Sequence, residues 1–190
     1  MRSAHYEQTF TGVDYAAARP PGERYESCTF RLCTFGDADL RDLRFEECRF
    51  EDCDLSNARS DNLSLQGVSF RNCKLLGVDF GKCTPFNFHV EWVGCRMQDA
   101  RFGGVKLGRC HFANCDLRRA DFTGADLREV ALDGCELTEA VFEATDLRGA
   151  DLREAAGYTI DPVRNRVRGA RFSLPDALGL LRQFGVRIEG

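Results

Sequence analysis

The sequence predicts an all-β solenoid, in which short parallel strands alternate with corners. Three observations predict this class. Repeat centres fall on Phe10 and Tyr15, then on every fifth residue from Tyr25 to Val90 and from Met97 to Leu152, and Leu or Phe occupies 22 of these 28 centres. A small or medium apolar residue, such as Cys28, stands two positions before most centres, and a turn-forming residue, such as Gly77, often stands two positions after. A repeat this short and this persistent sets the architecture before any single motif does.

The five-residue spacing excludes one continuous helix or strand, because those need apolar residues at spacings near 3.6 or 2. It fits a short strand followed by a corner, since side chains two positions apart in a strand point the same way. Gly and Asn at the corners tolerate conformations that strain other residues. Stacked coils then bury a continuous core. Ladders at a spacing of 20, such as Phe10, Phe30, Phe50 and Phe70, fit four-sided coils, although a ten-residue period would explain some of them.

The solenoid is predicted to span residues 1–172. Ala16–Glu23, which contains two prolines, is predicted to be a loop or a loose first coil. Ser60 and Pro85 replace apolar centres, and a proline cannot donate a hydrogen bond to a ladder, so the coil near Pro85 should be distorted. Residues 157–172 continue the five-residue phase with few apolar centres, which predicts a degenerate last coil.

The step between the centres Val90 and Met97 is seven residues, so a register break is predicted at 91–96. This stretch holds Trp92, the only tryptophan of the chain. Two interpretations are open. Trp92 either lies on a short projection, where aromatic side chains often anchor interfaces, or folds back over the solenoid.

Residues 173–190 are predicted to form a short C-terminal α-helix followed by a short strand. Ser173 would be the N-cap, Pro175 would lie in the first turn, and Asp176 would favour the positive end of the helix. An open solenoid end must be capped or paired, so this segment is predicted to be a cap or a dimer interface. The candidate interface residues are Leu174, Leu178, Leu181, Phe184, Val186 and Ile188.

The net charge and the positions of the cysteines bear on the ligands and the cellular compartment of the protein. The formal net charge is −4, and this modestly acidic balance argues against nonspecific binding to nucleic acid. All ten cysteines stand two positions before a centre, which predicts reduced thiols packed in the core. The sequence has no recognisable signal peptide and no apolar run long enough to span a membrane, so a cytoplasmic protein is expected.

No catalytic or metal-binding pattern stands out, so neither an enzyme nor a cofactor is predicted. His89 and His111 are predicted to face solvent, and no C-x-x-C or phosphate-binding loop is present. Regularly spaced aspartates are typical of a solvated side of the solenoid. The candidates for binding a partner are Glu91, Trp92, Asp116, Asp121, Asp126, Asp146 and Asp151.

The repeat resembles that of the pentapeptide repeat proteins. Three pentads match the family's A-(D/N)-L-x-x signature: 120–124 (ADFTG), 125–129 (ADLRE) and 150–154 (ADLRE). The resemblance implies a right-handed quadrilateral parallel β-helix, and it therefore implies the four-sided coil.

Three segments are similar to the topoisomerase-protecting branch of that family, which includes Qnr-type quinolone-resistance proteins and albicidin-resistance proteins. They are 25–30 (YESCTF), 73–80 (CKLLGVDF) and the tail from Tyr158 to Leu181, which is most similar to the albicidin-resistance type. The resemblance implies a homodimer, joined end to end, that engages DNA gyrase or topoisomerase IV. Because the solenoid would be an acidic rod with roughly the girth of duplex DNA, we expect it to bind as a DNA mimic, with no direct binding to nucleic acid or membrane. The poison could be a quinolone or a peptide natural product. A generic scaffold for another protein partner is the alternative.

Overall fold

The fold is a parallel β-solenoid built from ten short strands, as seen in a computed structural model that describes residues 4–181 and 184–186. The strands are β1 (Ala4–Tyr6), β2 (Thr9–Thr11), β3 (Arg24–Glu26), β4 (Thr29–Arg31), β5 (Arg44–Glu46), β6 (Arg49–Glu51), β7 (Ser64–Arg71), β8 (His89–Val93), β9 (His111–Ala113) and β10 (Leu132–Asp133). All paired strands are parallel, and they form one sheet in the order β1-β3-β5-β7-β6-β4-β2, with β8, β9 and β10 continuing from β7.

The register of the sheet fixes each coil at four pentads. Tyr25 pairs with Phe45, and Phe30 pairs with Phe50. We name the sides by the centres of one coil: side 1 holds Phe30, side 2 Phe35, side 3 Leu40 and side 4 Phe45, each with the residues stacked on it. Sides 4 and 1 carry the regular strands, whereas sides 2 and 3 are joined mainly by isolated parallel bridges, such as Thr34 with Asp54. The four-sided β-helix is therefore confirmed.

The core is a set of stacked side chains that run along the solenoid. Phe30 and Phe50 stack with ring centroids 4.7 Å apart, and Phe102 stacks on Phe122 at 4.9 Å. These separations equal the spacing of neighbouring strands, so each centre contacts the centres one coil before and after it. The later centres of side 4 are aliphatic instead of aromatic, and they form a fully buried ladder that begins at Leu107.

The corner residue two positions after most centres adopts a left-handed conformation whatever its type. Asn57 has φ 56° and Glu47 has φ 51°. The Asn57 backbone N–H donates to the Leu76 carbonyl of the next coil at 2.8 Å. Such bonds between coils hold the corner in a conformation that is unfavourable for most residues, and for this reason the corner ladder is not confined to glycine and asparagine.

The cysteines are reduced and packed in the core, as predicted. All ten are free, and nine are buried while Cys110 is partly buried. Six of them form one continuous column on side 2: Cys33, Cys53, Cys73, Cys95, Cys115 and Cys135. Most of these thiols donate to a carbonyl of the preceding coil, as Cys53 does to Phe30 at 3.4 Å.

The register break lies before Val90 and not at residues 91–96, so the predicted position was wrong. Thr84 still bonds to the preceding coil with the regular offset, and its N–H donates to the Leu63 carbonyl. His89 then pairs with Gln66, and Trp92 pairs with Phe70. The added residues therefore fall within 85–88. The error arose because Val90 continues the five-residue phase, although it occupies the position two residues before the true centre, Trp92.

The predicted C-terminal α-helix is instead a 3₁₀ helix of five residues, Asp176–Leu180. Its bonds span three residues, and the Leu178 N–H donates to the Pro175 carbonyl at 3.0 Å. The Asp176 carboxylate accepts from the Gly157 N–H at 2.9 Å instead of capping the helix. Contacts with the last coil therefore override the helix signals. A Cβ at Gly179 would overlap the Tyr158 carbonyl, so glycine is needed at this approach.

Candidate protein-binding surface

The predicted partner-binding aspartates do not form one surface. Asp126 and Asp146 are paired neighbours on side 4. Asp116 lies on side 2, Asp121 on side 3 and Asp151 on side 1, since each stands one position before a centre of that side. The set of five therefore surrounds the solenoid, and at most two or three of them can meet a flat partner together.

Four of these aspartates are each clamped by an arginine two residues later. In the Asp126 clamp, the Arg128 Nε donates to Oδ1 at 2.8 Å and its Nη2 donates to Oδ2 at 2.7 Å. The same two-bond geometry recurs at Asp116–Arg118, Asp146–Arg148 and Asp151–Arg153. Bidentate pairs of this kind have well-defined geometry. The sequence signal, Asp-Leu-Arg, is visible in the repeat, but the charge pairing it produces was not anticipated.

In each clamp the guanidinium group lies outside the carboxylate. The aspartate side chains are 14–24% exposed, whereas their arginines are 45–55% exposed. Hydrogen bonds from Arg148 lower the pKa of Asp146 to about 2, and those from Arg153 lower the pKa of Asp151 to about 2. These carboxylates are therefore ionised but partly covered by a positive charge, which makes the regular sides less acidic than the aspartate count implies.

Two candidates keep a different environment. Asp121 accepts a hydrogen bond from the Thr123 N–H at 2.9 Å, and the position two residues later carries no arginine. Glu91 forms an ion pair with Arg71 at 3.3 Å on side 1. Because both side chains reach solvent, both can still contact a partner.

Trp92 is fully buried, so its prediction as a partner-binding residue was wrong. Its ring stacks on Phe112 at 4.6 Å and meets Phe80 edge to face at 5.2 Å. The indole occupies an inward centre of side 1 and is neither a projection nor a flap over the solenoid. Its Nε1 atom has no hydrogen-bond partner, although it is buried.

The tail presents apolar side chains to solvent at the C-terminal end of the solenoid. The exposed fraction is 77% for Leu174, 55% for Phe184, 52% for Val186, 39% for Leu181 and 37% for Leu178. Ile188, the sixth predicted interface residue, lies outside the described residues. Exposed apolar residues that cluster in one segment mark an interaction site more often than scattered ones do, which fits the predicted interface without testing it.

Family comparisons bear on this architecture directly. Two sequence models match the chain: "Pentapeptide repeat region" over residues 86–157 and "Pentapeptide repeats (8 copies)" over residues 26–57. The chain belongs to the pentapeptide-repeat family. Together the two matches cover more than half of its length.

Solved structures of pentapeptide-repeat proteins have the same fold. A trypsin-treated variant of QnrB1, a plasmid-mediated fluoroquinolone resistance protein, is 22% identical, with a TM-score of 0.65 over 98% of this chain and 100% of that chain. A second trypsin-treated variant is 23% identical, with a TM-score of 0.64 over 99% of this chain and 92% of that chain. At these identities the likeness establishes the β-helix fold alone. No curated protein matches the sequence significantly.

Two thiols, those of Cys48 and Cys110, are poorly suited to nucleophilic chemistry. Burial raises the pKa of Cys48 to about 12 and that of Cys110 to about 11, and the reactive form of cysteine is the thiolate. Among residues 4–181 and 184–186, no group of three or more His, Cys, Asp or Glu is arranged to hold a metal ion. The described part of the chain also contains no helix that is long and apolar enough to cross a bilayer.

The sequence analysis missed a surface at the register break. Pro85 and Phe86 are exposed there, and Phe88 instead enters the core. Next to them, Lys106 borders a groove. The signal that could have located this surface was the sequence Pro-Phe-Asn-Phe at 85–88, because two aromatic residues in one pentad cannot both occupy its single inward centre.

Proposed function

We propose that this chain protects a type II DNA topoisomerase, gyrase or topoisomerase IV, from a poison by binding the enzyme as an end-to-end homodimer. The observation that carries the proposal is the C-terminal tail, which ends a solenoid of QnrB1-like length with an uncovered apolar segment. The likeness of the tail sequence to the topoisomerase-protecting branch supports the same assignment. In this proposal the chain acts by binding alone, with no catalytic residue, metal or cofactor and no direct contact with nucleic acid.

Fewer acidic side chains are available for contact in the proposed complex than a uniform DNA mimic would offer. Asp121 and Glu91 can meet a basic surface of the topoisomerase directly. The clamped residues Asp116, Asp126, Asp146 and Asp151 can do so only where their arginines turn aside. We therefore expect the affinity to fall as salt rises, because exposed charges are screened, but less steeply than for a rod whose aspartates are all unpaired.

Supercoiling assays test the proposal. Purified protein is titrated into gyrase and topoisomerase IV with a panel of poisons that includes a fluoroquinolone and a peptide natural product. Recovery of supercoiling or decatenation in at least one combination is the expected result. No recovery with any poison, at any salt concentration, would refute the proposed function.

The dimer is tested by matched substitutions. Leu174→Glu combined with Phe184→Glu places charges in the tail, and we expect monomers by light scattering after size-exclusion chromatography. Val163→Glu is the control, because Val163 is 77% exposed but lies outside the tail segment 173–190. A dimer that persists in the tail variant would exclude this interface.

A second candidate is a scaffold that binds a different protein through one side. The arginine clamps favour it, since they leave little of the uniform negative potential on which DNA mimicry depends. Protein that protects neither topoisomerase but recovers a defined partner through one side of the solenoid would support the scaffold.

A further inference from the structure

The register break creates an apolar groove between sides 3 and 4. The groove has a volume of about 280 Å³, and its walls are mainly Phe80, Pro85, Phe88 and Val105. Gly81 and Gly104 also line the groove, and neither contributes a side chain to it. Pro85 and Phe88, two of its walls, belong to the stretch 85–88 that holds the added residues.

The insertion also exposes an aromatic ring beside the groove. Phe88 takes the inward centre and is 6% exposed, whereas Phe86 is turned outward and is 69% exposed. The flanking residues Pro85 and Asn87 are exposed as well. A large exposed aromatic residue next to an apolar groove is the arrangement found at the centre of many protein interfaces.

The charged residue of the groove is Lys106, which lacks an ion-pair partner among the described residues. Its neighbour in the next coil, Asp126, is already occupied by both donors of Arg128. On the other side, Asp79 pairs with Arg101 at 3.7 Å and accepts from the Gly81 N–H at 3.1 Å. The clamps that neutralise the regular coils thus leave one ammonium group free at the rim.

A second unpaired cation, Arg109, stands at the corner after side 4, outside the lining of the groove. Arg109 is exposed and forms no ion pair with a carboxylate of the described residues. Lys106 therefore gives the rim of the groove one unpaired positive charge, whereas most arginines of the solenoid carry an aspartate or glutamate partner. A positive rim favours a negatively charged ligand and disfavours a basic one.

We infer that this groove binds a segment of the protein partner in which a bulky apolar side chain is followed or preceded by carboxylates. The apolar side chain would enter between Phe80, Phe88 and Val105, with Phe86 packed against it. The carboxylates would pair with Lys106 at the rim. The inference rests on the proposed function only for the identity of the partner, a topoisomerase subunit.

Binding of purified gyrase and topoisomerase IV to four single variants tests the inference. Phe86→Ala and Lys106→Glu should each weaken the affinity on the order of tenfold, as expected for central contacts of an interface. Val163→Ala and Arg44→Glu are the matched controls, since Val163 is an exposed apolar residue and Arg44 an exposed arginine away from the groove. Both controls should stay within about twofold of wild type, because isolated exposed residues contribute little.

A photo-crosslink locates the contact. A benzophenone amino acid at position 86 should crosslink to the topoisomerase, and the same group at the exposed Leu32, in an early coil away from the groove, should not. If wild type binds a topoisomerase but Phe86→Ala and Lys106→Glu bind equally well, the groove inference is wrong and the proposed function stands.

A peptide-binding experiment tests the groove inference if neither topoisomerase binds and the proposed function fails. The probes are short fluorescein-labelled peptides with one central Phe flanked by Glu, and the same peptides with Lys for Glu or Ala for Phe. Saturable binding of the Glu-Phe peptide alone, lost in Lys106→Glu, supports the inference. Equal binding of all three peptides, no binding of any, or preferential binding of a short DNA duplex through Lys106 would overturn it.

Discussion

The regular coils at 97–152 and the interrupted stretch at 83–93 are built from the same repeat but present opposite surfaces. In the regular coils each pentad buries one large centre, and most of the aspartates one position before a centre are bonded to an arginine. In the interrupted stretch two aromatic residues compete for one centre, so Phe86 is turned into solvent and a groove opens.

The difference indicates where the surface of the solenoid departs from its repeat. A side that repeats in every coil offers a partner the same arginine and aspartate at each level, with little to set one position apart. The break adds an apolar groove, an exposed ring and an unpaired ammonium group at a single level. We therefore expect substitutions of the inward centres of the regular coils to change stability, and substitutions at the groove, including Phe86 and Lys106, to change binding.

The largest effect should come from truncating a regular centre. Phe122 is fully buried between Phe102 and Phe142, with ring centroids 4.9 and 5.2 Å away. Phe122→Ala should lower the free energy of unfolding by about 3–5 kcal/mol. Phe86→Ala should change it by less than about 0.5 kcal/mol, because Phe86 is exposed. Denaturant unfolding measures both, and equal losses would remove the distinction between the two regions.

A buried amide at the end of the regular coils should have the next largest effect. The Asn165 side chain accepts from the Thr145 N–H at 2.9 Å and donates to the Phe142 carbonyl at 2.9 Å. Asn165→Ala leaves both groups buried without partners, which should cost roughly 2–3 kcal/mol. Arg168→Ala, exposed in the same coil, is the control. A loss no larger than that of the control would mean that solvent reaches this site.

A smaller effect is expected at Trp92, where the break returns to the regular register. Trp92→Phe loses packing volume but also removes a buried N–H without a partner, so the net cost should be about 1 kcal/mol. Because Trp92 is the only tryptophan, the tryptophan fluorescence of the protein reports the environment of this residue alone. Its emission should be blue-shifted and resistant to acrylamide quenching. A red-shifted, readily quenched signal would contradict burial in the core.

The smallest effect should be the acid sensitivity of one clamp. The folded-state pKa of Asp146 is lowered by Arg148 to about 2, below its usual value near 4. The clamp therefore stabilises the fold above about pH 4 and loses its contribution as the pH falls toward 2. Arg148→Gln should make the melting temperature fall less steeply between pH 4 and 2. An unchanged slope would show that the clamp has no part in acid unfolding.

The repeat could be predicted from the sequence because it rests on side-chain alternation alone. Inward centres such as Phe30, the thiol column that includes Cys53, and the left-handed corners such as Asn57 all follow from a pattern of apolar and turn-forming residues. These features need only neighbouring coils to agree, and every coil carries the same pattern.

The features that the sequence analysis missed or predicted wrongly depend on contacts between unlike segments. Trp92 was not recognised as an inward centre because Val90 keeps the five-residue phase, and only the pairing of Trp92 with Phe70 reveals the true centre. The tail was predicted as an α-helix because Asp176 is a good helix-start residue, but the last coil uses its carboxylate. The arginine clamps required knowing that positions one before and one after a centre lie on the same outer surface.

The fixed coil length has a consequence for insertions and deletions in this chain. Removing four consecutive pentads within 97–152 would delete one layer and leave every later residue on its original side. Removing a single pentad would rotate all later residues by a quarter turn, so that a side-4 contact such as Lys106 would face a different direction from the rest of its surface. The added residues at 85–88 avoid that rotation, because they are absorbed within one pentad before the next centre at Trp92. Natural length variation in such a chain should therefore fall into whole layers or local bulges.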